Sequence, residues 1–174
     1  KAGGRQIFTN GLLPNFWRSP NDNDYGASLQ KTLIEWKDAG RKTTLTDIKS
    51  EPQNAQGWLT VTVVKSMLKG DAQYKQTFQI DGNGALRVSN TFMAEKGNHK
   101  MLMRFGNHAE LPTDFTDLQL YGRGPGENYQ DRITASMVGL YSGTIKDQYY
   151  PYIRPQESGN KTAVRWAKLT RKDG

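Results

Sequence analysis

Apolar and aromatic side chains recur at every second position through much of this chain, and a period of two is the pattern of β-strands. Residues 74–80 and 85–93 both alternate in this way. Between them, residues 81–84 have the sequence Asp-Gly-Asn-Gly, a strong turn signal because asparagine, aspartate and glycine tolerate the left-handed backbone of tight hairpins. We therefore expect an antiparallel hairpin here.

Further runs of strand character divide the rest of the chain. They are rich in β-branched and aromatic residues and lie at residues 43–49, 58–64, 101–111, 118–121, 136–141 and 162–169. About eight strands predict an all-β fold, an antiparallel sandwich. With 174 residues, the chain has the length of a single domain.

One segment has helical spacing instead. Within residues 28–39, apolar side chains recur at i, i+4 and i+7. Ser28 is a suitable N-cap for this segment, and Gly40 stands where a helix would end. The sequence therefore predicts one short helix within the all-β fold.

Composition removes several classes of function. The chain has no cysteine, which excludes disulfides, thiolate nucleophiles and cysteine-ligated zinc. No apolar run approaches the ~20 residues of a membrane helix, so we expect no membrane span. The 24 Lys+Arg and 17 Asp+Glu give a net charge of +7. Because the basic residues are scattered rather than gathered in a patch, we expect no nucleic-acid partner.

The first unusual segment, residues 13–26, alternates asparagine and aspartate at residues 21–24. A calcium loop starting at Asn21 would have Tyr25 at position 5 and Thr32 at position 12, which are not the ligands that such a loop requires. Two interpretations remain. The polar side chains bond to nearby backbone amides and stiffen an irregular loop, which we favour, or they contact a ligand directly.

The second segment, residues 121–132, joins a Gly-Arg-Gly-Pro turn to two carboxylates and a further arginine. Pro125 and the lack of a following lysine argue against a phosphate loop. Glu127 and Asp131 have the residue types of a glycosidase carboxylate pair, but flanking arginines would keep both ionised, which suits a general acid poorly. We favour a structural role in which the arginines pair with the carboxylates.

The third segment, residues 149–160, contains three tyrosines beside two prolines. A tyrosine side chain combines an apolar ring with a polar hydroxyl. This rigid segment is therefore suited either to stack on the face of a sugar or to bury against another domain, and burial is the commoner use.

Taken together, the three segments resemble the C-terminal domain of LacZ-type β-galactosidases, glycoside hydrolase family 2. Residues 16–26 are similar to the family's Phe-Trp-Arg-Ala-Pro-x-Asp-Asn-Asp-x-Gly signature, and residues 121–132 match its Tyr-Gly-Arg-Gly-Pro-x-Glu-Asn-Tyr-x-Asp-Arg signature. Residues 151–166 match a third block. Two positions depart from the family pattern. Gly126 stands where His or Gln is usual, and Ser158 stands where Asn is usual.

The resemblance implies a galactose-mutarotase-like β-supersandwich. In that fold, residues 1–174 would be a single, truncated domain forming the N-terminal two thirds of the β-galactosidase C-terminal sandwich. The run into Asp173-Gly174, a turn signal with no strand after it, agrees with such an expectation.

The resemblance also implies a function. The parent enzyme would be a retaining β-galactosidase that hydrolyses terminal β-D-galactosides, and its catalytic glutamates and Mg²⁺ would lie in a separate (β/α)8 barrel. We therefore expect this chain to hold no catalytic residue, cofactor or metal of its own and to help shape the substrate site. Its partners would be the barrel and other domains of the same polypeptide, the β-galactoside, and further copies in a homo-oligomer. Bacterial cytoplasm and periplasm both remain open.

Two sets of residues carry the implied roles. The residues expected to contact carbohydrate or border the active site are Trp17, Arg18, Asn23, Asp24 and Gly26. The residues of the structural motif are Tyr121, Gly122, Arg123, Gly124, Pro125, Glu127, Asn128, Tyr129, Asp131 and Arg132. The alternative is an independent carbohydrate-binding module that stacks sugars on Trp17 and the tyrosines. A mutarotase-type acid–base site at His108, near Glu110, is a weaker hypothesis.

Overall fold

The computed structural model describes residues 4–154 and 156–172, and strands dominate it. Within those residues nine strands form three antiparallel sheets, which confirms the predicted all-β class. The chain separates into two compact units. Unit one contains residues 4–5, Asn10–Arg18 and Ser28–Ala109, and unit two contains Gln6–Thr9, Ser19–Ala27 and the described residues of 110–172. A single domain over residues 1–174 stays a prediction.

Unit one holds a four-stranded sheet and a short two-stranded one. The four-stranded sheet has the order β2-β3-β4-β5, and β1 pairs with β6. The six strands are β1 (Leu13–Asn15), β2 (Thr44–Glu51), β3 (Leu59–Met67), β4 (Ala72–Ile80), β5 (Leu86–Ala94) and β6 (Gly106–His108).

The predicted hairpin is confirmed as β4 and β5, which pair without a register shift from Ala72↔Ala94 to Ile80↔Leu86. The carboxylate of Asp81 closes the turn, because it accepts hydrogen bonds from the backbone N–H of Asn83 at 2.9 Å and of Ala85 at 2.8 Å. An aspartate that bonds to the backbone ahead of it is a common way to fix such a turn.

Aromatic rings form the core of unit one. The Phe16 ring lies 5.7 Å from Trp36, 5.8 Å from Tyr74 and 5.5 Å from Phe92, centroid to centroid. These are the tilted and edge-on contacts that aromatic pairs prefer. The buried cluster comprises Phe16, Leu33, Trp36, Ala39, Met67, Ala72 and Tyr74.

The predicted helix over residues 28–39 is broken into shorter pieces. α2 spans only Leu29–Thr32 and is followed by a 3₁₀ turn at Ile34–Trp36. The expected N-cap is wrong, because Ser28 has a left-handed backbone (φ 56°) and its side chain makes no cap hydrogen bond. The structure adds a second short helix, α1 (Asp22–Gly26), where an irregular loop was expected.

Unit two is built on a three-stranded sheet of order β8-β7-β9. Its strands are β7 (Phe115–Gly124), β8 (Met137–Thr144) and β9 (Trp166–Arg171), which overlap three of the predicted runs. The run at residues 101–111 is wrong in extent. Only its residues 106–108 find a partner strand, the three-residue β1 that the sequence did not predict.

Two further expectations concern the final turn and a membrane span. Pro155, Asp173 and Gly174 lie outside the described residues, so the structure says nothing of the predicted final turn. Among the helices of the described part, none has the length and apolar character needed to cross a bilayer.

A close approach of the backbone explains why residue 40 is a glycine. A Cβ at this position would lie 1.8 Å from the carbonyl oxygen of Pro14, which belongs to β1 and cannot move like a flexible side chain. We expect Gly40→Ala to lower the free energy of unfolding by roughly 1–3 kcal/mol. Urea denaturation measures this, with Gly11→Ala as control, since a Cβ there meets no atom within 4 Å. Equal stabilities of the two variants would contradict the steric account.

Candidate functional site

The asparagine- and aspartate-rich residues 21–24 form the capped N-terminus of α1. The Asn21 side chain accepts a hydrogen bond from Asp24 N at 3.0 Å, and the Asp24 carboxylate accepts one from Asn21 N at 2.9 Å. This reciprocal capping box uses the side chains in the structural way that we favoured. Asp24 is buried, whereas Asn23 and Gly26 are exposed on α1.

Trp17 and Arg18 belong to unit one, whereas Asn23, Asp24 and Gly26 belong to unit two. Trp17 is half-buried and packs against the aromatic core of unit one. Its backbone N–H donates to the Asn15 side chain at 3.1 Å. The Trp17 ring therefore contributes to packing, and sugar contact by these five residues stays a prediction.

Asn128 lies at the centre of the second segment and is fully buried. Its amide nitrogen donates to the carbonyl oxygens of Arg123 at 3.0 Å and Gly126 at 3.2 Å. Its amide oxygen accepts from the backbone N–H of Thr162 at 2.8 Å and from the Thr162 hydroxyl at 2.5 Å. We call these contacts the Asn128 network. It joins the turn after β7 to the chain that enters β9.

Backbone hydrogen bonds reinforce the same junction. Asn128 N donates to Asn160 O at 2.8 Å, and the Asn160 side chain donates to Asn128 O at 2.7 Å. The turn between β7 and Asn128 contains a cis peptide at Gly124–Pro125. Every polar group that the Asn128 side chain and peptide present at this buried site is therefore engaged.

Glu127 and Arg132 form the predicted ion pair, with 2.9 Å between Oε1 and Nη2. The other Glu127 oxygen accepts from the backbone N–H of Gly159 at 2.8 Å. The Glu127 side chain is only 12% exposed and both of its oxygens have structural partners. This carboxylate holds two loops together and is poorly placed to act as a general acid.

Among the described residues Arg123 has no carboxylate partner, so the predicted pairing of the arginines with the carboxylates is wrong for this residue. Its guanidinium donates instead to the carbonyl oxygens of Ser136 at 2.6 Å and Ile133 at 3.3 Å. The Ile133 carbonyl also accepts from Ser136 N at 3.0 Å, so Arg123 reinforces the turn that leads into β8. Asp131 is largely exposed and lies 3.4 Å from Arg132.

Arg132 also supports the aromatic residues around it. Its guanidinium carbon lies 4.4 Å from the centre of the Tyr129 ring, a cation–π contact. Burial, with the charges of Glu157 and Glu127, raises the pKa of Tyr129. Arg132 Nη2 further donates to the Tyr152 hydroxyl at 2.8 Å. The second segment is thereby connected to the tyrosines of the third.

The tyrosines of the third segment line a cleft with α1, which we call the tyrosine cleft. Its volume is about 280 Å³. The lining residues are Ser19, Pro20, Tyr25, Tyr149, Tyr150, Tyr152, Arg154 and Gln156, all within unit two. The arrangement offers aromatic faces, hydroxyls, a guanidinium and an amide, the chemistry that binds a neutral polar ligand with an apolar face.

Unit one contains a second polar group that sequence reasoning missed. His99 Nδ1 lies 2.9 Å from Glu35 Oε2, and Lys100 N donates to Glu35 Oε1 at 2.9 Å. His99 Nε2 lies 3.7 Å from Asp71. Glu35, Asp71 and His99 are among the residues that line a groove of about 1110 Å³. No sequence pattern predicts the contact between Glu35 and His99, because the two residues are 64 positions apart.

The mutarotase-type site at His108 stays a prediction. His108 lies on β6 opposite Leu13 and is exposed. Within residues 4–154 and 156–172, no group of three or more His, Asp or Glu side chains is arranged to hold a metal ion.

Comparisons with known proteins agree with the sequence signatures. A family model described as "Beta galactosidase small chain" matches residues 1–174. Proteins named beta-galactosidase match at 38% identity from Lactobacillus delbrueckii subsp. bulgaricus, 32% from Priestia megaterium and 30% from Streptococcus thermophilus. The matches cover 97%, 97% and 95% of this chain. The chain spans 16% of the length of each relative.

Removal of the Asn128 side chain should be costly. Asn128→Ala leaves two carbonyl oxygens and the Thr162 N–H and hydroxyl without their partners in a buried place, so we expect unfolding free energy to fall by roughly 2–4 kcal/mol. Urea denaturation measures the change. Gln119→Ala removes one long surface contact to Ser142, at 3.3 Å, and should cost less than about 0.5 kcal/mol. Similar losses in both variants would contradict the role of the network.

Acid should weaken the contact between Glu35 and His99. Burial alone raises the pKa of Glu35, but hydrogen bonds from His99 and Lys100 and their charges outweigh it, and the net pKa lies below the ordinary 4.5. A carboxyl with a lowered folded pKa stabilises the protein above its unfolded pKa, and the stabilisation is lost as pH falls through the folded value.

Glu35→Gln removes this titration. Unfolding free energies measured between about pH 6 and pH 3 should therefore fall less steeply at the acidic end for Glu35→Gln than for the unsubstituted protein. Parallel pH profiles of the two proteins would show that the contact does not stabilise the fold.

Proposed function

The chain belongs to the β-galactosidase small-chain family, and from this premise we propose that it is the non-catalytic C-terminal region of a retaining β-galactosidase of glycoside hydrolase family 2. In that role it helps to shape the site for terminal β-D-galactosides and to hold the assembly together. The family match over residues 1–174 is the observation that carries the proposal. The chain spans only 16% of the length of the related beta-galactosidase from Lactobacillus delbrueckii subsp. bulgaricus.

The contacts of the carboxylates support a non-catalytic role. Retaining glycosidases require two carboxyl groups about 5–5.5 Å apart across the scissile bond, one of them protonated. Glu127 bonds through both oxygens to Arg132 and Gly159, and Asp131 shares the same guanidinium. Both Glu127 oxygens are thus occupied by structural partners, which leaves neither of them open to a glycosidic oxygen.

The magnesium of such an enzyme fits this chain poorly. Mg²⁺ requires oxygen ligands in near-octahedral geometry. The Asp24 carboxylate of the first segment is engaged in capping α1, and within the described residues no group of three or more His, Asp or Glu side chains is arranged to hold a metal ion. We therefore place the metal, with the catalytic glutamates, in a (β/α)8 barrel of the same polypeptide.

The sheet of unit two supports a role in assembly. Leu140, Tyr121 and Trp166 are directly paired across β8, β7 and β9 and are all exposed. A continuous apolar row on an exposed sheet face is typical of an interface. We propose that other domains of the polypeptide, or another copy in a homo-oligomer, cover it.

A second candidate function is an independent carbohydrate-binding module, and the tyrosine cleft favours it. Aromatic rings with nearby polar groups are suited to sugar binding without any catalysis. If the chain is a region of the enzyme, hydrolysis depends on it. If it is an independent module, hydrolysis does not depend on it.

Three preparations test the proposal: the full-length polypeptide, the same polypeptide without this chain, and the isolated chain checked for folding by circular dichroism. Each is assayed with 2-nitrophenyl β-D-galactoside. We expect hydrolysis by the full-length protein only, and its loss when this chain is removed. Hydrolysis by the isolated chain would overturn the non-catalytic role. Full activity without this chain, together with galactoside binding by the isolated chain in calorimetry, would establish the module instead.

A further inference from the structure

We propose that the tyrosine cleft binds one pyranose ring of a neutral galactose-containing saccharide, which stacks on Tyr150 and receives hydrogen bonds from Arg154 and Gln156. The galactose component rests on the proposed function. The existence of a saccharide site rests on the geometry of the cleft.

The exposed aromatic rings are the first observation behind this assignment. The residues Tyr149 and Tyr150 are 69% and 56% exposed, although burying an aromatic ring is strongly favourable. Tyr150 and Tyr152 lie 4.6 Å apart, centroid to centroid, at 55°. Two rings at this angle form a wall against which the apolar C–H face of a pyranose can rest.

The wall is held in place before any ligand arrives. Tyr152 accepts a hydrogen bond from Arg132, which is paired with Glu127, and Glu127 accepts one from Gly159 N. Gly159 has φ +78°, and a Cβ there would lie 2.7 Å from the Gln148 carbonyl oxygen. Preorganisation of this kind reduces the entropy lost on binding. Through these contacts Glu127 and Arg132 act as positioning residues for Tyr152.

Polar groups line the cleft together with the aromatic wall. Ser19 and Tyr25 contribute hydroxyls, Gln156 an amide and Arg154 a guanidinium. Arg154 is largely exposed, and its contact with Asp22 is long, at 3.5 Å between two exposed side chains. A pair of this kind is weak, so the guanidinium can reorient towards a sugar hydroxyl at little cost.

The lining favours a saccharide over a protein segment. Every lining residue except Pro20 carries a polar group, whereas the centre of a protein interface is predominantly apolar. Ile153, the fully exposed aliphatic residue of the same loop, does not line the cleft. At about 280 Å³ the cleft lies below the ordinary range for drug-sized ligands, which suits a ligand as small as one sugar ring.

A local probe tests the assignment in the full-length protein, where any other sugar site would otherwise dominate calorimetry. 3-Fluorotyrosine replaces Tyr149, and ¹⁹F NMR follows its signal during titration with a thio-linked β-galactobioside, which resists hydrolysis. We expect a saturable shift. Tyr150→Ala should weaken the affinity read from it by roughly 3–10-fold, as expected for one lost stacking contact. Tyr150→Phe keeps the ring and should retain most of the affinity.

Ile153→Ala is the matched control, because it changes the same loop outside the cleft and should leave the affinity unchanged. A signal that does not respond to the saccharide would overturn the proposal. So would equal weakening by Ile153→Ala and Tyr150→Ala. If Tyr150→Ala dissociates the assembly while saccharide affinity is kept, the cleft is a protein interface and the proposal is wrong.

The two proposals fail separately. Hydrolysis of 2-nitrophenyl β-D-galactoside by the full-length protein reports the proposed function and does not depend on the fluorine signal. An active enzyme with an unresponsive Tyr149 probe would refute the saccharide site alone. A full-length protein that hydrolyses no galactoside but shows the saturable shift would refute the enzyme function and leave the site standing.

Discussion

The buried amide of Asn128 is the contact on which the rest of unit two depends. It closes the turn after β7 through the carbonyls of Arg123 and Gly126, and it joins that turn to the entry of β9 through Thr162. A buried amide is stable only when its donors and acceptors are all engaged. The network therefore specifies one arrangement of two segments that are 34 positions apart.

The order created by Asn128 extends outward through charged residues to the surface. Glu127 and Arg132 connect the turn to Gly159 on one side and to Tyr152 on the other. Charge-assisted hydrogen bonds are stronger and more directional than neutral ones, and a partly buried carboxylate strengthens them further. The third segment is thus held to the motif at residues 121–132 at two points, Tyr152 and Gly159.

Local patterns predicted much of the fold because the physics behind them is local. The hairpin of β4 and β5 follows from alternation and from Asp81, whose bonds reach only four residues ahead. The helix at residues 28–39 was overestimated, since periodicity identified the buried Leu33 and Trp36 but not the left-handed backbone at Ser28. Contacts between distant residues, such as Glu35 with His99, leave no pattern in the sequence.

The same distinction explains what was missed at the site. Residue types predicted that arginines and carboxylates of this turn would pair, and Glu127 with Arg132 is such a pair. They did not predict that Arg123 would satisfy backbone carbonyls, since that choice depends on how the chain enters β8. A specific sequence signature can therefore mark a demanding piece of architecture rather than a reaction centre. In this chain the Glu127 carboxylate is used for geometry, since one oxygen pairs with Arg132 and the other accepts from Gly159 N.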